Sequence, residues 1–367
     1  MMEGVKYKKD LFEMFDRWER WWNREDIGRC AISIKACKPI KDGDGWPPLP
    51  EKLEDRWLDF QYLKEKVDFY QRNTEFIGEA FPIWCGGHPG HEFIAAYYGC
   101  ETKFGEDTGW TFPIIDKGNL SDYSPDDICV KPDNEWWLFS QKYRAFINEC
   151  AKGKSLPMLP AMGATGDTLA AIRSTEKLLF DVADEPETVK KFENKLVDDW
   201  IKNFEHFYNL HKERNYGGTT EWLSMWAPGK LYVPQNDFSY MISTKMYEEI
   251  FLEPLMKQID YLDYALYHVD GVEAFRHVDL LCSIKKLKGL QILPGAGKPS
   301  PLHYMDVLKK VQAAGKNLHI SLRPDEVQTA LENLSSKGLF IEVYLHIDSV
   351  EEGYDLLKLA EKYSRYY

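Results

Sequence analysis

Apolar and polar positions alternate in two distinct rhythms along the second half of the chain. Short apolar runs at 218–225, 263–270, 290–295, 317–322 and 339–346 have the length and the β-branched or aromatic content of strands. Between them, apolar residues recur every three to four positions, as on amphipathic helices. Ser243 and Thr244 open one such helix, which runs through Tyr261, and another covers about 272–287. Ser300 and Pro301 start the next, with Tyr304, Leu308 and Val311 on one face. Pro324 starts a helix whose stripe is Val327, Leu331 and Leu334, closed off near Gly338. Ser349 and Glu352 form a capping box for the last helix, ending near Tyr363.

The first half is less regular. Strand candidates lie at 30–36, 81–85 and 156–162, and helical stretches cover 51–77, 134–152 and 175–214, the last pausing at 184–186. Residues 1–30 read as a helical extension and 85–115 as an inserted loop with a hairpin, all within one domain spanning 1–367. Eight strands, near 31, 82, 158, 221, 265, 292, 319 and 342, alternating with helices predict an α/β fold, a (β/α)8 TIM barrel with an elaborated N-terminal region. No GxGxxG turn follows the first strand to favour an open dinucleotide-binding sheet.

Bulk composition narrows the function. The formal net charge of −13 argues against a nucleic-acid partner, whose phosphates would be repelled. The N-terminal 22 residues carry charges throughout, and no stretch has the apolar length of a membrane span, so a cytoplasmic location is expected. Seven widely spaced cysteines without a CxxC fit neither a disulfide framework nor a structural zinc knot.

A barrel places its chemistry at the C-terminal strand ends. There the chain offers His88 in a Gly/Pro-rich loop, Trp226, Asp237, His268, Asp270, Arg323, Tyr344 and His346. Period-two geometry puts His268 and Asp270 on one face of their strand, and Tyr344 and His346 on one face of theirs. His268, Asp270 and His346 thereby form a candidate site for zinc or another divalent metal, with a coordination position left open. The bland alternative makes Asp270 a turn residue and His268 a hydrogen-bonded core side chain. His88, Trp226, Arg323 and Tyr344 are candidate substrate contacts, Arg323 as a carboxylate clamp.

Three segments carry a family likeness: Gly163–Leu169 with Glu176–Glu187, Pro234–Ser243 running on to Pro254, and Leu266–Gly271. From about residue 156 onward the chain resembles the uroporphyrinogen decarboxylase superfamily, which includes the decarboxylase and corrinoid-linked methyltransferases. The resemblance implies methyl transfer between a small methylated substrate and a corrinoid carried on a partner protein. It also implies zinc, held in those methyltransferases by one histidine and two cysteines. Here Asp270 stands at the first cysteine position and His346 near the second. His268, Asp237 and His346 become the candidate catalytic residues, Asp237 orienting substrate or a ligand histidine. A metal-free decarboxylase or lyase, with His268 or His346 as general acid, is the second expectation. A non-catalytic binder on the same fold is the third.

Overall fold

The structure is a computed structural model that describes residues 4–84, 93–163 and 165–366. In chain order its main elements are α1 (Leu11–Trp22), β1 (Ala31–Cys37), α2 (Phe60–Arg72), β2 (Thr74–Gly78), β3 (Ile83–Trp84), β4 (Glu101–Phe104), β5 (Gly109–Phe112), α3 (Glu135–Cys150) and β6 (Leu156–Pro157). They continue with α4 (Asp167–Arg173), α5 (Thr175–Asp184), α6 (Pro186–His211), β7 (Thr219–Thr220), β8 (Trp226–Ala227), β9 (Leu231–Tyr232), α7 (Thr244–Ile250), α8 (Leu252–Tyr261) and β10 (Tyr264–Asp270). The chain ends with α9 (Val278–Ser283), β11 (Gly289–Leu293), α10 (Met305–Ala313), β12 (Asn317–Leu322), α11 (Val327–Asn333), β13 (Leu339–Val343) and α12 (Val350–Tyr363).

The expected alternation of strand and helix is present throughout the second half. Ser300 accepts from the Leu302 amide, and Ser349 accepts from the Glu352 amide at 3.2 Å, so both helix starts are capped as the sequence indicates. Val327, Leu331 and Leu334 are fully buried. The segment expected to hold a hairpin contains antiparallel β4 and β5.

The sheet is large and mostly parallel. Its order is β2-β1-β13-β12-β11-β10-β9, with only the β1–β2 pair antiparallel. These ladders bear out the α/β class and do not show a closed eight-stranded ring. Among the described residues the hydrogen-bonded ladder is a seven-stranded sheet, and β3–β6 and β7–β8 form separate two-stranded pairs. The strands near 82, 158 and 221 exist but are two residues long. Pro82 and Pro157 lack the N–H a ladder uses, which shortens the regular pairing here, although the Met158 and Leu159 amides still bond the Trp84 and Thr220 carbonyls at 3.1 and 3.2 Å. Among the described residues no helix is long and apolar enough to cross a membrane.

Strand faces divide sharply. Ile32 and Ile34 of β1, Tyr267 and Val269 of β10, Leu290 and Ile292 of β11, Leu318 and Ile320 of β12, and Ile341 and Val343 of β13 all belong to the apolar layer shared with the surrounding helices. The opposite face begins with Ala31, Leu266 and Phe340, which pack with α1. Above these it turns polar: Ser33, His268, Gln291, His319 and Glu342 follow. The register aligns His268 with Gln291, Gln291 with His319, and His319 with Phe340.

Helix α1 closes the N-terminal end of the strands. Leu11, Met14, Phe15, Trp18, Trp21 and Trp22 recur at helical spacing and are all buried. The indole of Trp226 stacks on Phe15 with centroids 3.9 Å apart, and its Nε1 donates to the Asn215 carbonyl at 3.1 Å. Each buried Trp of this plug contributes on the order of 2–3 kcal/mol.

A buried carboxylate ties the plug to the sheet. Glu79 accepts from Arg17 Nε at 2.6 Å, from both Arg29 Nη atoms at 2.6 and 2.9 Å, and from the Ile32 amide at 2.7 Å. Burial alone would push this carboxyl up. The Arg29 guanidinium, its hydrogen bonds and Arg17 outweigh burial and hold it at about 2.

Replacing Glu79 by Gln removes the carboxylate paired with the buried Arg29 guanidinium, so E79Q is expected to lose about 3–5 kcal/mol in denaturant unfolding. Because the folded value lies below the unfolded one, the contribution of Glu79 is present above about pH 4.3 and is lost as pH falls toward 2. The wild type should therefore destabilise over that range more steeply than E79Q. Trp226→Ala should cost about 3–5 kcal/mol in the same assay, as a cavity in a tight aromatic stack. A cost under about 1 kcal/mol, the level of ordinary surface substitutions, would contradict the packing described.

Candidate functional site

The C-terminal half of β10 carries the chemistry. Leu266, His268 and Asp270 share the inner face, one above the other, as a strand's period of two requires. Leu266 ends in the plug, and His268 and Asp270 rise above it. His268 is buried and Asp270 half-buried at the strand end. Their nearest ligand atoms, His268 Nε2 and Asp270 Oδ2, are 3.9 Å apart.

A third group joins them from the chain after β9. The His268 amide donates to the Pro234 carbonyl at 2.9 Å, and Gln235 forms an isolated parallel bridge with His268. This pairing brings Asp237 alongside. One ligand atom each from Asp237, His268 and Asp270 lie within 4.8 Å of one another. Among the described residues this is the one group of three or more such side chains.

The surroundings of the three groups would suit a cation. In the tautomer with its proton on Nδ1, His268 donates to Gln291 Oε1. That leaves the Nε2 lone pair facing the two carboxylates. Trp222 packs edge-on against the imidazole, with centroids 5.0 Å apart at 82°. Asp237 Oδ1 is buried without a hydrogen-bond donor. An orphaned carboxylate oxygen beside an open imidazole nitrogen is the arrangement a divalent ion satisfies. One nitrogen and two carboxylate donors suit zinc or a harder divalent ion such as manganese.

Asp237 is itself held by a buried acid. Asp167, at the start of α4, accepts from Gln235 Nε2 and from the Phe238 amide, each at 3.0 Å. Burial, and then the Asp237 charge, raise its carboxyl to about 8.

His346 lies elsewhere. β13 ends at Val343, and residues 344–346 leave the ladder before Ile347 returns to pair with Ala36. The period-two rule that placed His346 on the face of Tyr344 does not extend past the strand. The His346 ring packs edge-on against Tyr70 of α2, at 5.6 Å, and takes no part in the cluster with His268 and Asp270. Asp237 occupies the third position instead.

Arg323 and Tyr344 border a cavity of about 630 Å³ at the C-terminal ends of β11, β12 and β13, together with Pro294, Gly295, Lys298 and Ser321. Gly295 joins this cavity to the cluster: a Cβ there would lie 3.5 Å from Asp270 Oδ1. Arg323 Nε bonds Asp325 Oδ1 at 3.0 Å, so part of its charge is already answered. Trp226 is in the plug, 2% exposed, at the opposite end of the strands. His88 lies outside the described residues.

Other polar residues of the inner face went unnoticed in the sequence. His319 is fully buried, and neither ring nitrogen has a hydrogen-bond partner. Burial, and then His268, push it down to about 3, so it is neutral at physiological pH. Its Nε2 lies 3.8 Å from Glu342 Oε2, which also accepts from Ser321 Oγ at 3.2 Å. The signal was available: His319, Ser321 and Glu342 break their apolar runs at alternate positions, the mark of a strand with one polar face.

No protein-family model matches the chain, and no curated protein is similar to it in sequence. Its architecture has a counterpart among solved structures. A methyltransferase from Methanosarcina mazei superposes with a TM-score of 0.59 over 95% of this chain and 98% of that one, at 11% sequence identity. At that identity the likeness is one of fold, a methyltransferase-like α/β architecture spanning both chains nearly end to end.

Proposed function

We propose that the protein is a metal-dependent enzyme of the methyltransferase type. It would act on a small methylated substrate, with a corrinoid-carrying protein as partner. The observation that carries this reading is the convergence of Asp237, His268 and Asp270 at the C-terminal strand ends, beside an open cavity. The shared fold with a methyltransferase is consistent with it.

His268 Nε2 and the carboxylates of Asp237 and Asp270 would hold the ion, zinc or another divalent metal. A bound ion of this kind supplies Lewis acidity, polarising or deprotonating a coordinated group. The protein's own residues do the rest. Gln291 fixes the imidazole tautomer. Trp222 and the strand floor exclude water from one side of the ring. Arg323 and Tyr344 border the neighbouring cavity, where a small substrate would sit, with Gly295 between it and Asp270. The donor set carries no thiolate, so the ion would be less electron-rich than one held by two cysteines. A metal-free acid/base lyase has less support, because it leaves the buried Asp237 oxygen without a partner.

Metal content of the untagged protein, measured by plasma mass spectrometry beside His268→Ala, is the direct test. Near-stoichiometric zinc or manganese in the wild type, lost in the variant, is the expected result. A wild type that stays metal-free after incubation with divalent ions would remove this reading. Gln291→Leu, which keeps the ligands but frees the imidazole, should weaken metal affinity about 10–100-fold with little change in thermal stability.

A further inference from the structure

Asp237 sits on a short segment without regular strand pairing, yet its carboxylate must be fixed relative to His268 for the two to share an ion. The segment 165–167 meets residues 235–238 at successive points. Thr165 Oγ1 donates to the Gln235 carbonyl at 3.2 Å. Gly166, at φ +83°, lies so close that a Cβ would sit 2.2 Å from Asn236 Oδ1, and that oxygen already accepts from the Ser239 amide at 3.0 Å. The two oxygens of Asp167 take the side chain of Gln235 and the backbone of Phe238, the residues on either side of Asn236 and Asp237. The grip is anchored in turn, because the Gly166 amide donates to the buried Glu193 at 2.9 Å.

We propose that Asp167 is a positioning residue for the metal site: with Thr165 and Gly166 it forms a clamp that holds Asp237 in ligating range of His268 and Asp270. The proposal rests on the reading of Asp237 as a ligand. Its second support is the orphaned Asp237 Oδ1. The clamp satisfies the backbone around Asp237 and leaves that buried oxygen unanswered, as a seat kept for a ligand rather than for the fold. Gly166 also has a defined role here. Only a residue without a side chain brings the start of α4 against Asn236.

The test reads zinc affinity directly, with zinc as the sole probe, by competition against a chromophoric chelator. Asp167→Ala should weaken zinc about 10–100-fold. Asp167→Asn should stay near the wild-type value. It is isosteric, it keeps an oxygen for the Phe238 amide, and Gln235 can turn its amide to match. That rescue separates positioning from bulk stability. Glu79→Gln supplies the second control, being strongly destabilised at the closed end of the fold but expected to bind zinc as the wild type does. If Asp167→Ala does not fold, Thr165→Val with Asp167→Asn weakens the clamp at constant volume and should show the same loss relative to Asp167→Asn alone. Wild-type affinity in Asp167→Ala, with Asp237→Asn impaired, overturns the clamp and leaves the ligand reading standing. Wild-type affinity in Asp237→Asn itself, or no zinc uptake by the wild type, overturns both.

Discussion

The carboxylate of Glu79 is the constraint on which the rest of the molecule is arranged. It is fully buried, and four donors from three places converge on it: α1, the entry to β1, and β1 itself. Two guanidiniums and one carboxylate removed from water are costly unless their geometry is good. The cost of misplacing any of them therefore fixes α1 against β1. With α1 fixed, its three tryptophans close the N-terminal end of the strands. The inner face can then be polar only at the other end, where solvent and substrate reach it.

That polarity follows from a two-sided strand pattern. The outward positions of β1 and β10 to β13 form one apolar layer with the helices. The inward positions have no such duty above the plug, and the sequence fills them with His268, Gln291, His319, Ser321 and Glu342. Parallel register places the first three in one row. The row does chemical work at one point at least, since Gln291 accepts from the imidazole and so determines which nitrogen faces the acids. At the far end of the row, His319 is neutral and unpartnered next to Glu342. Such a group is tolerated only where buried water or a bound molecule completes its bonding.

How much of this was legible in the sequence depends on how much of each element is set locally. The strands β10 to β13 and their helices were readable because runs of five to seven residues carry both a face and a cap. His268 and Asp270 were placed together for the same reason, as two steps of one strand fix their relative direction. The first half was harder. Two-residue strands next to Pro82 and Pro157 carry no period, and a ring of eight was inferred where the ladders give seven strands and separate pairs. His346 failed through a boundary of three residues: the strand ended at Val343, and extrapolating its rhythm misplaced the ring. Asp167 lay in a segment marked for its family likeness, Gly163–Leu169, but its role there was not legible. Its importance comes from two hydrogen bonds to residues about 70 positions away, and no local pattern encodes such a contact.

The same distinction bears on the donor set of the proposed site. The proposed site offers one imidazole and two carboxylates and no thiolate. Thiolates are soft and need little support, because a cysteine side chain has few polar contacts to satisfy. Carboxylates are harder and more demanding: each has two oxygens and several lone pairs, and a misdirected one draws other donors. A site built on oxygen donors therefore needs a means of aiming its carboxylates. Asp270 is aimed by its strand. Asp237, on an irregular segment, is aimed by Asp167, itself an acid raised to about 8 by burial and by the Asp237 charge beside it. In the clamp the two acids have separate places, Asp167 holding the segment and Asp237 facing the cluster. That separation accounts for an otherwise unfavourable feature of this fold, two acidic side chains in contact with the same short segment.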